Sequence, residues 1–525
     1  MTQYPSEREP ESEQRDDSTV MAELVSESDA GTIVPLRNRL SIGGIVSWLV
    51  VIASTVAIIV WVATKQQLVS ETVGGDATSG DLVQVQWLGK TLVGQEELMA
   101  TLEQTMSAET EIEAEKRIET LENAIAGANR GTFEQQLVCV VLTNELLGAD
   151  KALDKLSDLN ERVIEHDFKP SENQSILHDG VTNIVNACID DSFDDATLSI
   201  KEEELLHEKM GWLGRLAAVP EASGKTTLRE EVLSEAMTGT VIASLAFLGG
   251  VVALLAGFVL AVRTIRSWKQ GEFEGRFDNR EGVHNIYIET FAIWLVYFFG
   301  IPFVIGSWVD AMGFDPLVVS PVIMFSSLIA LIWPVIRGIP FSQVRQDIGW
   351  TSTKPIRDFF AAPVGYLATI PLVFITLLVL LSVFGLGMQS GAPAATEEFS
   401  RGQSVSHPLQ EYVGESSAYV VLWVILSACV AAPIVEETVF RGILYRHLRD
   451  VTAHWRVTAT VVFSSLVNAF IFAAIHPQGV MLIPVLGSLA VGFSLMREWR
   501  RSLYPSMIMH AIHNGLVTCL MFMIL

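Results

Sequence analysis

Hydrophobic residues in this chain come in long runs, separated by stretches where charge is dense. The first apolar run covers about Ile42 to Thr64 and the second about Val241 to Val262. Each is long enough to cross a bilayer core, which takes roughly 20 residues of helix. Further runs lie near 288–308, 317–336, 360–386, 419–436, 457–476, 480–496 and 504–525, making about nine spans. Trp48 and Trp61 stand near the ends of the first run, where indole rings favour the membrane–water interface. The pattern predicts an all-α protein, a polytopic transmembrane helical bundle.

Between the first two runs, residues 65–236 read as a soluble insertion. Leu98, Leu102 and Met106, then Ala114, Ile118, Leu121 and Ile125, recur at helical spacing. Phe133–Leu147 and Ala152–Ile164 follow the same period. A small helical domain is expected, with no clear repeat signature. Residues 1–40 form a polar, acidic tail whose composition predicts disorder. The resulting organisation is a tail (1–40), a span (41–64), an acidic helical domain (65–236), a span with its linker (237–284) and a C-terminal bundle (285–525).

Composition sharpens this picture. Of 525 residues, 50% are hydrophobic, as suits a multi-pass membrane protein rather than a soluble enzyme. The net charge is nevertheless −25, with the acid gathered in the tail and between about 70 and 236. No basic stripe is available to neutralise phosphates, so a nucleic-acid partner is not expected. No cleavable signal peptide is expected either, because the first apolar run starts late and is long enough to span. Four cysteines occur without any CxxC pair, which gives no sign of a thiolate zinc site. Cys429 and Cys519 lie in apolar sequence and read as core residues. Cys139 and Cys188 lie in the acidic insertion and are candidates for a disulfide if that domain is outside the cytoplasm.

Charge also orients the bundle. With the N-terminus inside, inner segments carry Arg263, Arg266, Lys269, Arg337, Arg345, Arg446 and Arg497, among others. Outer segments carry the acidic insertion, Asp310, Asp315, Glu397, Glu398, Glu411 and Glu415. The positive-inside rule thus puts the N-terminus in the cytoplasm and residues 65–236 across the membrane from it. The expected location is a cell membrane, the inner membrane of a bacterium.

Within the apolar C-terminal region stand polar groups that cost free energy there. Ionisable side chains in membrane segments cost about 2.5–3.5 kcal/mol each on insertion scales, so they are kept mainly where they pair or do chemistry. Glu437 and Arg441 are four apart and share a helical face, which suits an ion pair. Glu436 points about a hundred degrees away, free to face a reacting water. On this segment alone a solvated helix end is equally compatible. His476, before Pro477, lies four residues after Phe472, which stands ready to wall a site. Alone, such a histidine is more often structural. His510 and Asn514 share another helical face, suited to holding a metal or a carbonyl oxygen. His513, off that face, reads as a supporting polar residue. No HExxH sequence occurs. Simple alternation of spans puts Glu436 near the inner face and His476 near the outer. A helix running on from Glu436 through about Leu448, or a re-entrant turn at His476-Pro477, would bring them level.

Taken in order, Glu436-Glu437-x-x-x-Arg441, Phe472-x-x-x-His476 and His510-x-x-x-Asn514 resemble the CAAX-prenyl-endopeptidase and bacteriocin-processing intramembrane proteases. This CPBP family includes the lysostaphin-resistance-protein-A-like proteins. Ala432-Pro433-Ile434-Val435, Phe440-Arg441-Gly442 and Asp347-Ile348-Gly349-Trp350 are similar to it as well. The resemblance covers about 285–525 and leaves 1–284 as an addition. It implies an intramembrane endopeptidase with Glu436 activating water and His476, His510 and Asn514 completing the site. Glu437, Arg441 and Phe472 would support them. Two forms of the chemistry stay open: a zinc ion held by Glu436, His476 and His510, or a water activated without metal. The implied partners are membrane lipids and a protein or peptide substrate, prenylated or otherwise membrane-anchored. An inactive scaffold of the same fold and, further off, a transporter are the competing classes.

Overall fold

The computed structural model describes residues 40–71, 79–103, 111–128, 132–165, 168–271, 283–389 and 417–524. The acidic tail, most of the linker after Lys269, and Glu397, Glu398, Glu411 and Glu415 lie outside the described residues, as do the side chains of Leu102, Met106, Ala114 and Asp310.

Every regular element among the described residues is helical. The first span is α1 (Ile42–Glu71), and the insertion after it contains α2 (Ser79–Glu103), α3 (Glu111–Ala128), α4 (Phe133–Leu147), α5 (Ala149–Glu165), α6 (Glu172–Ile189) and α7 (Ile200–Ala217). Helix starts are written in short polar signals. Thr132 with Gln135, Ser171 with Gln174 and Ser199 with Glu202 each form a reciprocal capping box. Each box satisfies two amide hydrogens that the first turn leaves without carbonyl partners. Leu137, Leu142, Val181, Leu206 and Leu213 are fully buried in one core. Ile118, expected on the inward face of α3, is instead 44% exposed, while Leu121 and Ile125 of the same helix are buried. A narrow helical face reaches the core there, and Ile118 lies at its edge.

Helix α8 (Thr226–Lys269) runs unbroken for 44 residues, about 66 Å at 1.5 Å per residue. The sequence pattern suggested a soluble segment ending near 236 and a separate span. In the structure one rod serves both, because no proline intervenes and its first turns pack on α2. Val232, Leu233 and Ala236 belong to the insertion's core. A Cβ on Gly94 would sit 2.4 Å from the Ala236 carbonyl oxygen, so only glycine permits that approach.

Cys139 and Cys188 are free thiols, and Asn144 Nδ2 faces Cys188 Sγ at 3.7 Å. Burial pushes the Cys139 thiol up to about 12. Cys139 should therefore resist maleimide at pH 8 in the folded protein and react only on unfolding. Rapid native-state labelling, read by mass spectrometry, would contradict this burial.

The remaining bundle comprises α9 (Val283–Ala311), α10 (Pro316–Ile336), α11 (Phe341–Ile348), α12 (Pro355–Gln389), α13 (Ala418–Val451), α14 (Val457–Ala474), α15 (Val480–Arg500) and α16 (Tyr504–Ile524). Among the described residues, 8 helices are long and apolar enough to cross a membrane. The ninth expected span, α16, is helical over 21 residues but is not among these 8, since the side chains at its C-terminal end lie outside the described residues. The chain is thus an integral, multi-pass helical protein. Its added segments pack directly on the C-terminal bundle. Ser41 N donates to Asn285 Oδ1 at 3.0 Å, and Trp48 Nε1 to His447 Nε2 at 2.9 Å, so α1 rests on α9 and α13. A Cβ on Gly257 of α8 would lie 2.3 Å from the Leu367 carbonyl oxygen of α12.

One boundary matters most for the site. The apolar run at 419–436 continues as helix to Val451. Glu436 is therefore well inside α13 rather than at its end. Helix α14 returns antiparallel from Val457, and His476 follows its last turn. Both residues lie a similar length of helix away from the α13–α14 turn, which brings them level.

Candidate active site

The carboxylates sit where α13 is locally underwound and wider than an α-helix. Leu426–Ala431 and Glu437–Leu444 are π-helical, a geometry that appears mostly as short bulges and often at functional sites. Successive positions on the helix, Glu436 and Glu437 face different surroundings. Glu437 and Arg441 are fully buried and paired, with Arg441 Nη1 2.9 Å from Glu437 Oε1. Arg441 Nη2 also donates to the Ala490 carbonyl at 3.2 Å. Its guanidinium lies over the rings of Phe472 at 4.4 Å and Phe493 at 5.1 Å. Two aromatic faces and a carboxylate compensate the charge that water would otherwise solvate.

Glu436 keeps a side chain 14% exposed, against none for Glu437, so Glu436 is the carboxylate that water can reach. Its Oε2 lies 3.6 Å from His476 Nε2 and 3.8 Å from His510 Nε2. Both separations exceed a direct hydrogen bond and suit a single water touching carboxylate and ring. The rings are tied at their other nitrogens. His476 Nδ1 is 2.5 Å from the Phe472 carbonyl oxygen, and His510 Nδ1 is 3.1 Å from Glu437 Oε1. A carbonyl and a carboxylate accept only, so both Nδ1 atoms carry hydrogen. In neutral rings both Nε2 lone pairs then face Glu436. Phe472 packs on His476 with centroids 4.3 Å apart, and Phe493 stacks on His510 at 5.1 Å.

Of the residues singled out from sequence, Glu436, His476 and His510 meet around one carboxylate oxygen, and Glu437, Arg441 and Phe472 stand directly behind them. Asn514 is held differently. Its Nδ2 donates to the Ala428 carbonyl at 2.7 Å, in the first π-helical stretch, and leaves its second amide hydrogen available. His513 Nδ1 lies 3.2 Å from the Tyr366 hydroxyl, a contact to α12. Two residues escaped the sequence reading. Phe493 had no motif to flag it, because only the crossing of α15 over α16 gives it a role. Trp350 lay in a stretch already noted, and its Nε1 donates to Thr438 Oγ1 at 2.9 Å, next to Glu437.

The donors have the chemistry of a zinc site, with outer ring nitrogens tied as in metal-binding histidines. Among the described residues, however, no cluster of three or more His, Cys, Asp and Glu side chains is arranged as a formed metal site.

Carboxylates and histidines thus converge inside a bundle of membrane-length helices, and the segment that carries them is similar to known CAAX-type proteases. Residues 418–516, which carry all three motifs, match the family described as type II CAAX prenyl endopeptidase Rce1-like. A stretch of 88 residues is 32% identical to the membrane-embedded CAAX protease MroQ of Staphylococcus aureus, covering 17% of this chain and 35% of that protein. The chain thus aligns with about a third of its relative's length. No solved structure matches the chain.

Proposed function

We propose that this protein is an intramembrane endopeptidase that hydrolyses peptide bonds of lipid-anchored or membrane-associated substrates. One observation carries the reading: a carboxylate oxygen with no protein hydrogen-bond donor faces two imidazole nitrogens at one-water distance. A water there gives one hydrogen to Glu436 Oε2 and the other to His476 Nε2. Glu436 takes the proton as the water oxygen attacks the peptide carbonyl. The tetrahedral oxyanion needs a donor, and the free amide hydrogen of Asn514 supplies one. The proton on Glu436 then passes to the leaving amine. His510, held by Glu437, keeps the second ring aligned.

MroQ bears the name of a CAAX protease, which favours a C-terminal CAAX-type segment as substrate, prenylated or otherwise anchored in the membrane. Purified protein in lipid should cleave a farnesylated CAAX peptide, and the Glu436→Gln form should not. A non-catalytic scaffold predicts no turnover from either. Turnover should persist after dialysis against a chelator. Loss on chelation with recovery on adding zinc would overturn the metal-free chemistry.

The location that fits is a bacterial inner membrane with the N-terminus cytoplasmic. The acidic domain of 65–236 then lies outside, carried on α8, and is placed to gather a substrate or partner. Asp154, exposed on α5, gives a test. In intact cells, Asp154→Cys should gain labelling by a membrane-impermeant maleimide over the parent chain. Labelling only after lysis would put the domain inside.

A further inference from the structure

Behind the site, polar residues recur every four positions on three packed helices. Thr460, Ser464 and Asn468 precede Phe472 and His476 on α14; Glu437, Arg441, Tyr445 and Arg449 line α13; Ala490, Ser494 and Glu498 line α15. Apart from His476, every one of these polar side chains is at most 5% exposed. At the upper level, Arg441 Nη2 and Ser494 Oγ both donate to the Ala490 carbonyl, at 3.2 and 3.0 Å. Asn468 Nδ2 donates to Ser494 Oγ at 3.1 Å. At the lower level, Glu498 accepts from Tyr445 at 2.9 Å and from Arg449 at 3.1 and 2.8 Å. Arg449 Nη1 reaches Thr460 at 2.8 Å, and Thr460 contacts Thr452.

Between the two levels lies one helical turn, about 5.4 Å. Three side-chain atoms of these helices, Arg441 Nε, Asn468 Oδ1 and Ser464 Oγ, are buried without a protein partner. They offer a donor, an acceptor and a hydroxyl that serves as either. Buried polar groups are almost always hydrogen-bonded, and where protein does not supply the partner, internal water does. Hydrocarbon offers none at this depth.

We propose that this turn is a buried water site, held by Arg441, Asn468 and Ser464, which completes a polar column from Glu437 to the arginine-rich end of α13. The water fixes the guanidinium plane of Arg441, and through it the Glu437 carboxylate that holds His510. Asn468 and Ser464 are positioning residues in this arrangement. The effect on turnover rests on the hydrolase reading; the water site does not.

The test is X-ray radiolytic footprinting of the full chain in lipid nanodiscs in 18O-enriched water, alongside peptidase kinetics. Tyr445, fully buried, should acquire 18O label because bound water lies beside it. Asn468→Leu and the milder Ser464→Ala should each suppress that label while exposed Trp455 keeps its own. Each variant should lower kcat on the order of tenfold, the scale of one lost bridging hydrogen bond, with KM unchanged. An unlabelled Tyr445 in the unsubstituted protein overturns the water site. So does a label that persists in both variants. A labelled Tyr445 in a protein that cleaves no peptide leaves the site standing and removes the hydrolase reading instead.

Discussion

Glu436→Gln should reduce peptide hydrolysis by about 10²–10⁴-fold, the usual contribution of a general base, with the fold intact. The substitution keeps shape and volume but removes the group that accepts the proton. Little stability should be lost, because Glu436 Oε2 takes no hydrogen bond from the protein and the side chain keeps some access to solvent. Its closest polar neighbours are ring nitrogens rather than a guanidinium. Steady-state kinetics and thermal unfolding on the same preparation measure both halves. Full turnover in the variant would show that Glu436 is not the base.

Glu437→Gln should fail in the opposite way, through stability. Glu437 Oε1 accepts from Arg441 Nη1 at 2.9 Å and from His510 Nδ1 at 3.1 Å, and both partners of the ion pair are fully buried. Neutralising it leaves the Arg441 charge among neutral acceptors and aromatic faces, with no carboxylate paired to it. Breaking a buried pair on one side costs about 3–5 kcal/mol, because the surviving charge stays desolvated. The expected result is a large fall in the unfolding midpoint in lipid or detergent, with activity falling as His510 loses its anchor. Arg441→Met together with Glu437→Gln should recover part of the stability, since no buried charge then remains. If Glu437→Gln unfolds at the parent temperature, the pair contributes nothing to stability and the division of roles between the two glutamates is wrong.

Much of this was legible in the chain. Apolar run lengths identify spans because a helix must satisfy its own backbone in lipid, and the runs near 288–308 and 457–476 match α9 and α14 closely. The Glu437–Arg441 pair was readable because four-residue spacing on a helix is a local geometric fact. The three motifs pointed to their chemistry because ionisable groups are rarely kept inside membrane segments without a use.

Tertiary structure alone decided the rest. Whether Glu436 and His476 lie level depends on how far α13 continues. Sequence periodicity does not reveal that, since buried arginines from Arg441 to Arg449 read as a solvated helix end until partners such as Glu498 are seen to neutralise Arg449. The π-helical turns of α13 have no sequence signature. That His510 joins them, with Nδ1 on Glu437 and Nε2 toward Glu436, follows from the packing of α16 on α13. Spacing along one helix says which side chains share a face. Which face meets which is set by side-chain packing between helices, and that is where this site is assembled.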